Sequence, residues 1–273
     1  MFRNKIFVVT VRYLWLYIAL SAFVIALLAF TLLGLSAGKP SDAEASGLLA
    51  IVIDDFGLQR QGVSEMLSLD CKLTVAIMPF LEHTEDDAED ALENGKEIII
   101  HIPMQSNYCG IASYLGPRPV TVSMSEQEVK AWLDDALSEL PEAVGANIHM
   151  GSLCSTKEEI MTPVMSHLSQ KGLFFLDSKT SGRSVCRNVA KKTGVGFYEN
   201  RVFLEHEMKS KNYVKQCLRK AIGIAKEEGQ CIAIGHVGCE GGSVTAQAIL
   251  EMLPEMKKQG VRPVFLSELK EIV

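Results

Sequence analysis

From residue 48 onward, short runs of apolar, often β-branched residues alternate with segments of helical periodicity, and this alternation is the strongest constraint on the fold. The strand-like runs are LLAIVI (48–53), KLTVAIM (72–78), EIIIHI (97–102), GANIHM (145–150), LFFLD (173–177), VGFY (195–198), CIAIG (231–235) and RPVFL (262–266). Strands that are apolar on both faces and separated by helices predict a parallel sheet with right-handed crossovers. Seven or eight such units predict one α/β domain, 48–273, built as a closed or nearly closed β/α barrel. A doubly wound open sheet is the alternative. Helices are expected over 125–140 and 245–260, the second broken or kinked at Pro254. There is no internal repeat, Walker loop, GxGxxG or GxSxG.

The chain before the barrel has a different character. Arg3, Lys5 and Arg12 precede an uncharged apolar stretch from Tyr13 to Gly38. That stretch is long enough to span a bilayer, and longer than the apolar core of a cleaved signal. The sequence therefore predicts a basic cytoplasmic segment (1–12), a transmembrane signal anchor (13–38) and a polar linker (39–47). The positive flank places the barrel outside the cytoplasm, on a periplasmic or extracellular face. Cleavage near Ala43-Glu44-Ala45, giving a secreted protein, is the second reading.

Setting aside the three basic residues of the first 36 positions leaves 24 basic against 33 acidic residues, a net charge of −9. This balance excludes nucleic acid as the expected partner. Seven of the acids lie in EHTEDDAEDALE (82–93), which reads as a solvated helix face. The seven cysteines contain no CxxC pair, so thiolate zinc is not expected, and bridges cannot be assigned from their spacing. A long Gly- and Pro-punctuated loop, 106–122, follows the third strand and is expected on the functional rim.

Six titratable side chains fall at or near strand ends. Asp54 and Asp55 close the first strand, His101 the third, His149 the fourth, Asp177 the fifth and His236 the seventh. In a β/α barrel the carboxyl ends of the strands meet on one face, where catalytic groups collect. One carboxylate and two imidazoles form a ligand set for a divalent metal, with zinc the default and nickel, cobalt or ferrous iron as alternatives. A second carboxylate beside the metal can act as base, and a histidine across the site as acid, which together make a hydrolase. Taken singly, the same residues also fit plainer roles: a turn pair for Asp54 and Asp55, core histidines, and a cap for Asp177. His83, His167 and His206 read as surface groups, and Cys154 as a remote extra ligand.

IVIDDFG, EIIIHIPMQ, GANIHMGS, LFFLDSKT and IAIGHVG resemble the successive motifs of the divergent polysaccharide deacetylase family, relatives of the NodB-like carbohydrate esterases. The resemblance runs from about 48 to 270. It implies a distorted seven-stranded barrel, metal-dependent deacetylase ancestry, an envelope location and a glycan substrate. It also implies Asp54 as general base, Asp55, His101 and His149 as metal ligands, and His236 as acid. Asp177 is expected to orient one of these groups, and Asn147, Ser152 and Met104 to line the substrate site.

Two features depart from the typical pattern. The first metal histidine lacks an HxxxH partner, so His149 must come from another strand. Glu205-His206 also stands where an aspartate followed by asparagine is usual. A catalytically silent glycan-binding or envelope-organising protein is the second functional reading. A metal-dependent phosphoesterase, using Lys179 and Arg183, is the third.

Overall fold

The computed structural model describes residues 47–107, 115–205 and 207–273. The expected membrane anchor, the linker up to residue 46, the centre of the 106–122 loop and His206 lie outside the described residues. Among those described, no helix is long and apolar enough to cross a membrane.

Nine strands form one sheet: β1 (Gly47–Phe56), β2 (Thr74–Ile77), β3 (Glu97–Met104), β4 (Gly145–Met150), β5 (Phe174–Asp177), β6 (Phe197–Glu199), β7 (Val202–Phe203), β8 (Gln230–His236) and β9 (Val261–Val264). Seven α-helices accompany them: α1 (Val63–Leu67), α2 (Thr84–Glu93), α3 (Glu126–Glu139), α4 (Glu158–Gln170), α5 (Cys186–Thr193), α6 (Lys211–Glu228) and α7 (Gly242–Lys258). The strand order is β6-β5-β4-β3-β2-β1-β8-β7, with β9 also on β1, and every pairing is parallel. The result is a parallel-sheet half-barrel.

The eight expected strands all form, and β7 is the addition. β6 pairs with β5, and β7 pairs with β8. Only Asn200 and Arg201 separate β6 from β7, so one extended stretch of chain links the two ends of the sheet. Their amides reach opposite sides, Asn200 N–H to Asp177 O and Arg201 N–H to Ile232 O.

Side chains alternate between two apolar cores because successive residues of a strand face opposite ways. Leu49, Ile51, Ile53, Ile98, Ile100, Ile148 and Phe175 join the large core under the helices. Ala50, Val52, Ala76, Ile99, Leu176, Ile232 and Ile234 fill the inner face of the curved sheet. Continuing the inward set along each strand gives Asp54, His101, Asn147 with His149, and His236, so period two puts these polar groups on the inner face.

Helix boundaries follow local chemistry. Ser125 caps α3 in a capping box with Glu128, satisfying two backbone donors that the first turn leaves open. Pro254 does not break α7, which runs on to Lys258, and Pro163 is likewise inside α4.

Two surface expectations are corrected. His167 is buried and bonded to Asp134 Oδ1 at 2.9 Å, because α4 packs that side of the helix against α3. Within the acidic run, Asp87 is fully buried. It accepts the Gly57 N–H at 2.7 Å and lies 3.3 Å from the Arg60 guanidinium, so it pins the turn after β1.

Candidate metal and catalytic site

Asp54 and Asp55 are neighbours in sequence, and an ordinary strand would send them to opposite faces. Asp55 instead has a φ of 71°, and the β1–β2 register shifts between Ile53 and Phe56. This local irregularity re-aims the second carboxylate, as bulges do next to functional sites. Both carboxylates therefore line one cavity of about 410 Å³ with His101, His149 and His236.

The two candidate ligand histidines come from adjacent strands. His101 on β3 lies opposite Asn147 on β4, and His149 is one inward position further along. This lateral pair replaces the i, i+4 spacing of a helical ligand pair. His149 Nδ1 lies 3.0 Å and His101 Nε2 3.3 Å from Asp55 Oδ1, and the two nitrogens are 3.1 Å apart. Donors about 2.0–2.1 Å from a tetrahedral ion would be about 3.3 Å from each other, so the triangle has the size a divalent cation requires. Asp55 Oδ1 is buried with no hydrogen-bond partner among the described residues, an unmet acceptor that a cation would satisfy.

Asn147 sets the protonation of the site. Its amide NH2 donates to Asp54 Oδ1 at 2.8 Å, which leaves its carbonyl oxygen to accept from His101 Nδ1–H at 2.6 Å. His101 Nε2 then carries the lone pair that faces the triangle.

The pKa directions fit these roles. Burial raises the Asp54 carboxyl, and Asp55 adds to the rise against the opposing pull of His101 and His236. Burial opposes ionisation of Asp55 as well, but His101 and His149 override it and hold that carboxyl well below the ordinary range. The first carboxylate is the better base and the second the permanent anion.

His236 faces the triangle from β8. Its Nδ1–H donates to Glu205 Oε2 at 3.0 Å, and Glu205 also accepts the His236 backbone N–H at 3.3 Å and the Thr245 hydroxyl. Burial works against protonation of His236. Glu205, Asp55 and Asp54 outweigh it and push the pKa up to about 10, so the ring is an imidazolium at neutral pH. Phe203 stacks on the same ring, with centroids 6.2 Å apart.

The chain matches the family described as divergent polysaccharide deacetylase over residues 51–270. It belongs to the divergent polysaccharide deacetylase family. It is 32% identical over 216 residues to the uncharacterized protein YibQ of Escherichia coli K12, a match covering 77% of this chain and 65% of that protein. An uncharacterized protein of Haemophilus influenzae Rd is 34% identical over 211 residues, covering 77% of this chain and 74% of that one.

Among solved structures, uncharacterized protein ATU2773 of Agrobacterium tumefaciens C58 superposes with a TM-score of 0.72 at 22% identity, over 85% of this chain and 92% of that one. The catalytic domain of a peptidoglycan N-acetylglucosamine deacetylase from Eubacterium rectale gives 0.51 at 13% identity, over 82% and 91%. These two likenesses show the fold that the chain shares with them.

Within this member of the family, four sequence-expected site residues are placed differently. Asp177 is outward on β5, in phase with Phe175, and bonds the Lys179 N–H and Ser184 hydroxyl, so it orients neither imidazole. Met104 is fully buried in the helix-side core and has no surface for substrate. Ser152 is tied to Ser106 Oγ and the Asn107 N–H, outside the cavity lining. Asn147 is fully buried between Asp54 and His101, a positioning residue with no open face. Cys154 is also buried, and its thiol points to Val120 O at 3.5 Å.

Glu205 was legible only as a departure from pattern. Its signal is period two along β7: Val202 and Leu204 enter the helix-side core, which leaves Phe203 and Glu205 on the inner side.

Proposed function

We propose that this protein is a divalent-metal-dependent hydrolase that removes acetyl groups from a glycan at the cell envelope. The observation that carries the reading is the convergence of Asp55 Oδ1, His101 Nε2 and His149 Nδ1, with ligand atoms within 4.8 Å of one another, beside Asp54 and opposite His236. A metal bound by these residues would polarise the acetyl carbonyl and acidify water, with zinc the ion their N2O donor set favours.

The chain supplies the rest. Asp54, held by Asn147 and raised by burial, takes the proton from the attacking water. As the new C–O bond forms, the carbonyl carbon becomes tetrahedral. His236, kept protonated by Glu205, then gives its proton to the sugar nitrogen or oxygen as the C–N or C–O bond breaks. Acetate and the deacetylated sugar are released.

No lysine or arginine among the described residues lines the cavity, and Lys179 is engaged with Glu199 at 3.4 Å. A phosphoester would therefore meet three carboxylates, Asp54, Asp55 and Glu240, with the His236 imidazolium as the one protein cation in the lining, which favours a neutral substrate. The apolar, uncharged stretch 13–38 and its basic flank support our placing the barrel outside the cytoplasm, anchored in the membrane.

The test is acetate release from N-acetylglucosamine oligomers and O-acetylated glycans by the zinc-loaded full-length chain. Wild type should turn over, and Asp54→Asn should be slower by about 10²–10⁴. Equal rates in the two proteins would remove Asp54 as base. Glycan binding without turnover under any divalent metal would turn the proposal into that of a binding protein.

A further inference from the structure

Five buried polar side-chain atoms have no hydrogen-bond partner among the described residues, and two of them belong to residues that line the cavity: Asp55 Oδ1 and Thr180 Oγ1. The first faces the two ligand imidazoles. The second has no role in the chemistry described so far. Buried hydroxyls in folded proteins are nearly always satisfied, so an orphan in a cavity wall is a place prepared for a ligand atom.

The segment that carries Thr180 is built around one carboxylate. Asp177 Oδ1 accepts the Lys179 N–H at 2.8 Å and Oδ2 accepts the Ser184 hydroxyl at 2.7 Å, so residues 178–184 wrap a fully buried side chain. Lys179 has a φ of 62°, a conformation disfavoured for a residue with a Cβ, and such outliers collect at ligand clamps. Ser178, which lines the same cavity, has its hydroxyl committed to Ile148, donating to O at 3.0 Å and accepting from N–H at 3.3 Å. Of the two hydroxyl-bearing residues that this turn brings to the cavity lining, only Thr180 has its hydroxyl, itself shielded from solvent, left over. The lining of the same cavity includes Ile148, Met150 and Phe203. A cavity that adds three apolar side chains and one unpartnered hydroxyl to its titratable groups fits a sugar, which has apolar C–H faces and hydroxyl or amide edges.

We infer that Thr180 is a specificity-determining residue whose hydroxyl hydrogen-bonds the acetylated sugar, and that Asp177 is the positioning residue for the turn that presents it. This rests on the glycan-deacetylase reading above.

The experiment compares zinc-loaded full-length wild type, Thr180→Val and Thr180→Ser. The substrate is the acetylated oligosaccharide on which wild type is fastest, starting from the N-acetylglucosamine tetramer. Valine keeps the shape and removes the hydroxyl, so KM and the calorimetric Kd should rise about tenfold or more. kcat, zinc affinity and turnover of a sugar-free ester such as p-nitrophenyl acetate should stay within about twofold. Because no protein bond is lost, the Tm of Thr180→Val should equal or exceed that of wild type. Serine restores the hydroxyl and should bring KM back to within about threefold.

An unchanged KM and Kd in Thr180→Val on a substrate that wild type processes would overturn the inference alone. A lowered Tm with unchanged KM would make the hydroxyl structural and overturn it equally. If wild type neither binds nor deacetylates any glycan, the functional reading fails and the role of Thr180 falls with it.

Discussion

Glu205→Gln isolates the group that sets the charge of His236. Glu205 is buried, and its carboxylate accepts from His236 Nδ1–H at 3.0 Å, from the His236 backbone at 3.3 Å and from Thr245. A rise in the His236 pKa from 6.5 to about 10 corresponds to about 5 kcal/mol in favour of the imidazolium. Burial opposes that rise, Glu205 gives the largest favourable share, and Asp55 and Asp54 give the rest. A charge-assisted hydrogen bond is worth about 1.5–3 kcal/mol. Glutamine, which keeps the shape but not the charge, should therefore lower the pKa by about one to two pH units.

The sign of the stability effect follows from a folded-state pKa raised above the unfolded one. The contribution is fully present below about pH 6.5 and is lost as the pH rises through about 10. Wild type and Glu205→Gln should thus differ most near pH 6, and the His236-linked part of the gap should close toward pH 10. Loss of the Thr245 contact adds an offset that does not titrate. Urea unfolding of metal-free protein from pH 5 to 10 reads the gap, and NMR of the His236 ring reads the pKa. In the zinc-loaded protein the alkaline limb of acetate release should move acidward in the variant. A stability gap independent of pH, with an unmoved His236 titration, would refute the assignment of Glu205.

Two further outcomes test the architecture around the site. Asn147→Leu leaves Asp54 Oδ1 and His101 Nδ1 without their bonds of 2.8 and 2.6 Å, so zinc affinity should fall about 10–100-fold in a chelator competition. Unchanged affinity would mean that Asn147 does not fix the tautomer of His101. Gly57→Ala places a Cβ 2.7 Å from Met78 O at a φ of 86°, in the turn pinned by Asp87. The denaturant midpoint should drop by an amount equivalent to about 1–3 kcal/mol, and an unshifted midpoint would show that the turn relaxes freely.

Strand existence was legible because parallel strands buried on both faces stand out as continuous apolar runs. The eight strands expected from 48–266 are all present, and Asp54, His101, His149 and His236 sit together as their positions at strand ends imply. Strand-end position, however, says nothing about which face a side chain takes. Asp177 closes β5 as His236 closes β8, yet Asp177 is in phase with Phe175 and points outward, while His236 is in phase with Ile234 and points in. Met104 fails as a substrate contact for the same reason, being in phase with Ile100 and Ile102 on β3. β7 has no signature along the chain because two residues carry too little periodicity.

Hydrophobic period and residue chemistry are local properties, so the order and type of the elements, the apolar stretch before them and the residues of the candidate metal triad could be read along the chain. Which carboxylate serves which imidazole was settled in three dimensions. The left-handed backbone at Asp55 turns a second aspartate into the cavity. The short β7 brings Glu205 beside His236, 31 residues away in sequence. Asn147 meets Asp54 across 93 residues. Such pairings depend on strand register and on the closeness of packed backbones, and no local pattern in the chain encodes either.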